Sequence, residues 1–168
     1  MAEHPEMLAA EYALNEGGRI RIVEGRPLYA AVQTAEKVPH LVKVTAAGTS
    51  GHASIPLADN AIDRLARALA KIAAHREPTT LVATTRRFFE RLATIWPDAA
   101  ERAAMGDLVS DDAARIRSAD EILRRFPSLD ALARNGVAST MLAGGIRENV
   151  IPAVGTAVLN VRTGPGGS

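Results

Sequence analysis

The fold is decided by residues 41–75, which read LVKVTAAGTSGHASIPLADNAIDRLARALAKIAAH. The first seven residues, Leu41–Ala47, are rich in β-branched side chains and end at Gly48, a pattern typical of a β-strand. From about Asp59 to His75 the apolar residues recur at helical spacing and form one apolar stripe. The stretch therefore predicts a strand, a loop of small residues, and an amphipathic helix with Asp59 as its N-cap.

Two more strands are predicted near the C-terminal end, at Val137–Leu142 and Thr156–Arg162. In the second strand alternate residues share a face, as the period of a strand requires. Residues 79–136 read as several short helices, and Ser118 with Glu121 has the spacing of a capping box. We interpret this region as a helical insertion. The predicted fold class is α+β, an antiparallel sheet with helices on one face.

Residues 1–36 are a poor start for a domain of their own. They hold two short strand-like pieces, Arg19–Val23 and Leu28–Thr34, and residues 25–27 form the expected turn between them. This segment is therefore separated from a main domain that spans residues 37–168.

The composition excludes several classes of function. Net charge is +1 and aromatic residues are 4%, so neither an electrostatic field nor a stacking surface for nucleic acid is expected. The absence of cysteine excludes disulfides, thiolate metal sites and thiol nucleophiles. Since no apolar run approaches about 18 residues and no signal peptide is evident, we expect a cytoplasmic protein without a membrane partner.

The inventory of reactive groups is short. The four histidines do not pair at the i, i+4 spacing of zinc-binding helices. These histidines are His4, His40, His52 and His75. The G-x-S-x-G nucleophile motif, the phosphate-binding Walker loop and the dinucleotide fingerprint are all absent. The chain therefore holds no complete catalytic set of its own.

Three polar residues in loops still stand out. His52 lies among small residues in TSGHAS, which would let a ligand approach the imidazole closely. Asn149 precedes an apolar run in RENVIP, and Glu16 has glycines beside it in LNEGG. Each residue also has an interpretation without a function. His52 would be a surface histidine, Asn149 part of a turn before an edge strand, and Glu16 an acid in a hairpin loop.

Five segments, in this order, resemble the two-zinc metallopeptidase family of aminoacylase, glutamate carboxypeptidase, acetylornithine deacetylase and succinyl-diaminopimelate desuccinylase. The segments are Ala13–Gly18 (ALNEGG), Gly48–Pro56 (GTSGHASIP), Asn60–Leu69 (NAIDRLARAL), Gly144–Pro152 (GGIRENVIP) and Leu159–Ser168 (LNVRTGPGGS). The resemblance implies that residues 37–168 are a lid and dimerisation domain, an incomplete ferredoxin-like split βαβ unit with a helical insertion. It implies that residues 1–36 are a remnant of the catalytic domain.

The resemblance also implies roles for four residues. Glu16 matches a carboxylate that ligates one of two zinc ions. His52 matches a lid histidine that polarises the scissile carbonyl in the partner subunit, and an imidazole can donate to a developing oxyanion. Asn149 and Arg162 match residues that bind the substrate and its terminal carboxylate, which a guanidinium grips in bidentate fashion. The parent enzyme would cleave a peptide or N-acyl amino acid amide with metal-activated water.

The sequence departs from the family where the metal ligands belong. A His-x-Asp segment, an adjacent Glu-Glu pair and a late histidine ligand are missing, so the chain is expected to be a truncated piece that binds no zinc and is inactive. The expected partner is a second copy, through the edge strand 137–142 and the helix 59–75. The alternative is a free-standing α+β interaction module with no catalytic parent.

Overall fold

The computed structural model describes residues 9, 11 and 17–165, and the chain divides into two compact units, residues 1–34 and 35–168. In the first unit, β1 (Arg19–Val23) and β2 (Arg26–Ala31) form an antiparallel hairpin. Its turn is Glu24 and Gly25, both with positive φ (49° and 77°), as in two-residue type I′ hairpins. The predicted turn at 25–27 is therefore wrong by about one residue, because the chain is already extended from Arg26.

Antiparallel pairing builds the second unit. Its strands are β3 (Val38–Ala47), β4 (Gly51–His52), β5 (Gly136–Gly144), β6 (Val150–Ile151) and β7 (Val154–Thr163). The main sheet has the order β3-β7-β5, and the two shortest strands, β4 and β6, form a separate ladder. β7 pairs on both sides, while β3 and β5 each pair on one side and lie at the two edges. The order fits three strands of a split βαβ unit, and the predicted α+β class is confirmed.

The helix α1 (Ala61–Ala74) covers one face of this sheet. Ala61 and Leu65 are buried, and a Cβ added to Gly155 of β7 would lie 3.2 Å from Leu65 Cδ2, so the helix packs directly on the strand backbone. The predicted N-cap Asp59 is wrong. The side chain of Asn60 accepts from the N–H of Ile62 at 2.9 Å instead, and the helix begins two residues later than expected.

The insertion consists of four helices, α2 (Ala83–Ile95), α3 (Ala99–Asp107), α4 (Ala113–Leu123) and α5 (Pro127–Ala133). They bury a small apolar core of their own, which includes Phe89, Leu92, Trp96, Met105, Leu108, Leu123 and Leu129. The predicted capping box of Ser118 and Glu121 is wrong, because both residues lie inside α4. Asp112 caps that helix and accepts from the N–H groups of Ala114 and Arg115. None of the described helices is long and apolar enough to cross a membrane.

An ionic cluster of Arg76, Asp120, Asp130 and Arg134 ties the insertion to the chain on either side of it. Arg76, which follows α1, donates to both carboxylates at 2.7–3.2 Å. Arg134, which follows α5, donates to Asp130 at 3.0 Å and also to Asp120. Burial, together with the nearby charge of Arg76, lowers the pKa of Arg134 to about 10, so the guanidinium stays charged at neutral pH. The segment that enters the insertion and the segment that leaves it are thus bound to the same two carboxylates, Asp120 and Asp130.

Candidate functional site

The two-residue ladder of β4 and β6 brings the loop of His52 to the loop of Asn149. His52 pairs with Val150, and Gly51 pairs with Ile151. One residue further on, the N–H of Ala53 donates to the carbonyl oxygen of Asn149 at 3.0 Å. Two of the predicted site residues, distant in sequence, therefore lie on neighbouring strand ends.

The start of the His52 loop is fixed by close backbone contacts. Gly48 lies so near the cap of α1 that an added Cβ would be 2.0 Å from the carbonyl oxygen of Asp59, and its N–H donates to Ala153 at 2.9 Å. The carboxylate of Asp59 accepts from both the hydroxyl and the N–H of Thr49 at 2.7 and 2.9 Å. The hydroxyl first, and then the backbone N–H, lower the pKa of Asp59. The loop therefore leaves β3 in one defined direction.

The His52 side chain is exposed but its ring is anchored on one side. Nδ1 lies 2.8 Å from Ser54 Oγ and 3.2 Å from the backbone nitrogen of Ser54. The N–H of Ile55 donates to the carbonyl of His52 at 3.0 Å, which closes a turn over residues 52–55. Over the described residues, Nε2 has no hydrogen-bond partner. The free ring nitrogen is therefore available to a ligand.

Asn149 is exposed, and over the described residues its side-chain amide makes no hydrogen bond, so it can both donate and accept. Beside the ladder lies a shallow, mainly apolar cleft of about 290 Å³. It is lined by Ser50, Gly145, Ile146, Val150, Pro152, Ala153 and Val154. Ile146 is 93% exposed, so the rim of this cleft presents apolar surface beside the β4–β6 ladder.

Arg162 lies near the opposite end of β7, where it pairs with Pro39 and Gly136. Its Nε donates to Asn160 Oδ1 on the same face of the strand at 2.9 Å. Val154 and Arg162 are eight residues apart on β7, which corresponds to a distance of about 26 Å along the strand at roughly 3.3 Å per residue. The structure therefore does not bring Arg162 beside His52 and Asn149 within one chain.

Glu16, the predicted zinc ligand, lies outside the described residues. In the part of the chain that the structure describes, no group of three or more histidine, aspartate or glutamate residues could hold a metal ion. A zinc site needs at least three protein ligands, so the described residues do not fit one. Sequence reasoning also did not single out Ser54, although a hydroxyl residue two positions after a polar side chain is a common partner in a local turn.

Residues 34–168 match the family model of a peptidase dimerisation domain. The matched range includes the whole β3-β7-β5 sheet, α1, the helical insertion and the ladder that carries His52. A search of curated proteins finds no match.

Proposed function

Because the chain belongs to the peptidase dimerisation domain family, we propose that it is the lid and dimerisation part of a zinc-dependent amidohydrolase or exopeptidase. The observation that carries this proposal is the β4–β6 ladder, which lies in the matched range and joins the loops of His52 and Asn149. Residues 37–168 are assigned to this lid, and residues 1–36 to a remnant of the catalytic domain. When bound, the metal would activate water and polarise the amide. No group of three or more residues that could hold it is found among the described residues.

The side chains suit a substrate that has an amide to be cleaved and a free carboxylate, such as a peptide or an N-acyl amino acid. Among the residues that the structure describes, Nε2 of His52 has no hydrogen-bond partner, so it can donate to the oxygen of the scissile carbonyl, where negative charge develops. The Asn149 amide can hold polar groups of the substrate. Arg162 presents a guanidinium that can grip a carboxylate with two parallel hydrogen bonds.

The distance along β7 supports a site shared between two copies. Arg162 lies about 26 Å from the strand end that leads to His52, whereas a fully extended dipeptide spans only about 7 Å. A single chain therefore cannot place both side chains on one small substrate. A second copy can supply His52 and Asn149 to the site that holds Arg162.

The surface we propose for this second copy is the free edge of β5 with the adjoining side of α1. Leu142 and Met141 of β5 are 72% and 67% exposed, and the strand has neither charged residues nor proline to block edge pairing. A Cβ added to Gly144 would lie 3.5 Å from Ile62 Cγ1, so the helix and the strand form one continuous apolar surface. Pairing of two such edges about a twofold axis would extend the sheet across both copies.

The proposal is tested by kinetics on a longer protein that carries both this chain and the metal-binding segments. His52→Ala should lower kcat about 100- to 1000-fold with little change in KM, because the imidazole acts on the transition state. Arg162→Ala should act mainly through KM, since carboxylate binding is lost already in the ground state. Wild-type kinetics for His52→Ala would overturn the role of the histidine.

A mixing experiment tests the shared site. Subunits with His52→Ala and subunits with Arg162→Ala are mixed and allowed to exchange. In a shared site each mixed dimer has one intact site out of two, so random pairing should restore about a quarter of wild-type activity. If both residues act within one chain, mixing restores nothing. If neither substitution changes activity, the domain serves self-association alone.

A further inference from the structure

The two nitrogens of the His52 ring are not equivalent, and their difference matters for catalysis. A neutral imidazole carries one proton, so one nitrogen donates a hydrogen bond and the other accepts. The hydrogen bond made by one nitrogen decides which form the other nitrogen takes. The partners of Nδ1 therefore decide whether Nε2 can act as a donor.

We infer that Ser54 is a positioning residue that holds neutral His52 in the tautomer with its proton on Nε2. The backbone N–H of Ser54 points at Nδ1 across 3.2 Å, and a backbone N–H can only donate. Nδ1 must therefore accept. The Ser54 hydroxyl, 2.8 Å from the same atom, then donates as well, since an accepting nitrogen has no proton to give.

The surrounding turn keeps the ring in this position. The Ile55 N–H is bonded to the carbonyl of His52, and the Ala53 N–H is bonded to the carbonyl of Asn149, both at 3.0 Å. These bonds fix the backbone on either side of Ser54 relative to the ring. A ring flip would replace Nδ1 by a carbon atom and would lose both hydrogen bonds from Ser54.

The consequence rests on the proposed function. With the proton on Nε2, the exposed side of the ring presents an N–H to a substrate oxygen that becomes negative. The other tautomer would present a lone pair and repel that oxygen. Ser54 would thus act through His52 without touching the substrate. The ligand that this arrangement favours is a carbonyl oxygen, and a donating hydroxyl group of a substrate would be disfavoured.

The test is nitrogen NMR of the imidazoles in the 168-residue chain at about pH 9, where an imidazole is neutral. His52→Gln assigns the resonances by their loss. The wild type and Ser54→Thr should show a protonated Nε2 and an unprotonated Nδ1. Ser54→Asp replaces the hydroxyl by a carboxylate, which can only accept. The backbone N–H of residue 54 remains in this variant, but a charge-assisted hydrogen bond from Nδ1–H to the carboxylate is the stronger of the two and should move the proton to Nδ1. Ser118→Asp, which adds the same charge on the exposed side of α4, should leave His52 unchanged.

Two results would overturn the inference: a wild-type ring protonated on Nδ1, or a Ser54→Asp ring with the wild-type pattern. Kinetics of the longer protein at the same pH separate this inference from the proposed function. With both correct, Ser54→Asp lowers kcat and Ser54→Thr retains it. If the tautomer is as inferred but His52→Ala has wild-type activity, the proposed function fails and the positioning role of Ser54 stands.

Discussion

The ionic cluster at the base of the helical insertion offers a sharp test of what holds this domain together. The side chain of Arg134 is only 6% exposed, and it donates to Asp120, Asp130, the Thr79 hydroxyl and the Glu77 carbonyl. Arg134→Met keeps much of the side-chain volume but removes all of these bonds. Two largely buried carboxylates, with side chains 15% and 19% exposed, would then share a single arginine, Arg76.

The expected loss of stability follows from this geometry. Removal of one partner from a buried ion pair costs about 3–5 kcal/mol, because a buried charge loses its compensation. We expect the lower end, about 3 kcal/mol, since Arg76 still reaches both acids. The matched control is Arg115→Met, where the side chain is 61% exposed and pairs with Asp107. An exposed pair contributes about 0–1 kcal/mol.

Urea unfolding followed by circular dichroism measures both variants under the same conditions. Total stabilities of about 5–15 kcal/mol are normal, so the loss at Arg134 should shift the midpoint strongly and the loss at Arg115 should barely shift it. On heating, about 3 kcal/mol corresponds to a fall in Tm of roughly 6–12 °C for a chain of this size. Equal losses in the two variants, or an Arg134→Met stability within about 1 kcal/mol of wild type, would refute the reasoning.

Three further predictions concern the sheet edge and the loop of His52. Leu142→Asp should abolish self-association, measured by sedimentation at micromolar concentration. The control is Leu41→Asp on the opposite edge of the sheet, where the leucine is about equally exposed and self-association should remain. A monomeric wild type would contradict this prediction. The hydrogen bonds from Thr49 lower the pKa of Asp59 below its ordinary value of 3.8, so these bonds stabilise the fold above that pH. The difference in stability between wild type and Thr49→Val should therefore disappear as the pH falls through the lowered pKa. Gly48→Ala should destabilise the chain in urea, because its Cβ would meet the Asp59 carbonyl at 2.0 Å; an unchanged midpoint would show that the loop can shift.

The main elements were predictable because their signals are local. The apolar stripe of α1 and the alternation in β7 follow directly from helix and strand periods. The cap of α1 was misplaced because Asp59 and Asn60 are both good capping residues, and the choice depends on Thr49, ten residues away. Such a choice is made by a tertiary contact, which no local pattern contains.

The parts that escaped prediction depend on contacts between distant segments. Arg76 binds Asp120 and Asp130, which lie 44 and 54 residues further along the sequence. No periodic pattern in the sequence can therefore predict these ion pairs. The strands β4 and β6 have two residues each, too short for alternation to be detected. The proximity of His52 and Asn149 therefore became visible only in the fold, although each residue was already a candidate from its own motif.

Strand direction explains how a dimer could complete the site. If two β5 edges pair antiparallel about a twofold axis, the β7 strands of the two copies also run antiparallel. The end of β7 that carries Arg162 in one copy then lies at the same end of the extended sheet as the Val154 end of β7 in the other copy, next to the loop of His52. Three strand spacings of about 4.8 Å separate the two β7 strands, or about 14 Å. An arginine side chain and a dipeptide can bridge that gap, whereas the distance of about 26 Å along one chain is too long. The edge that we propose for self-association would thus also decide whether the residues meet on one substrate.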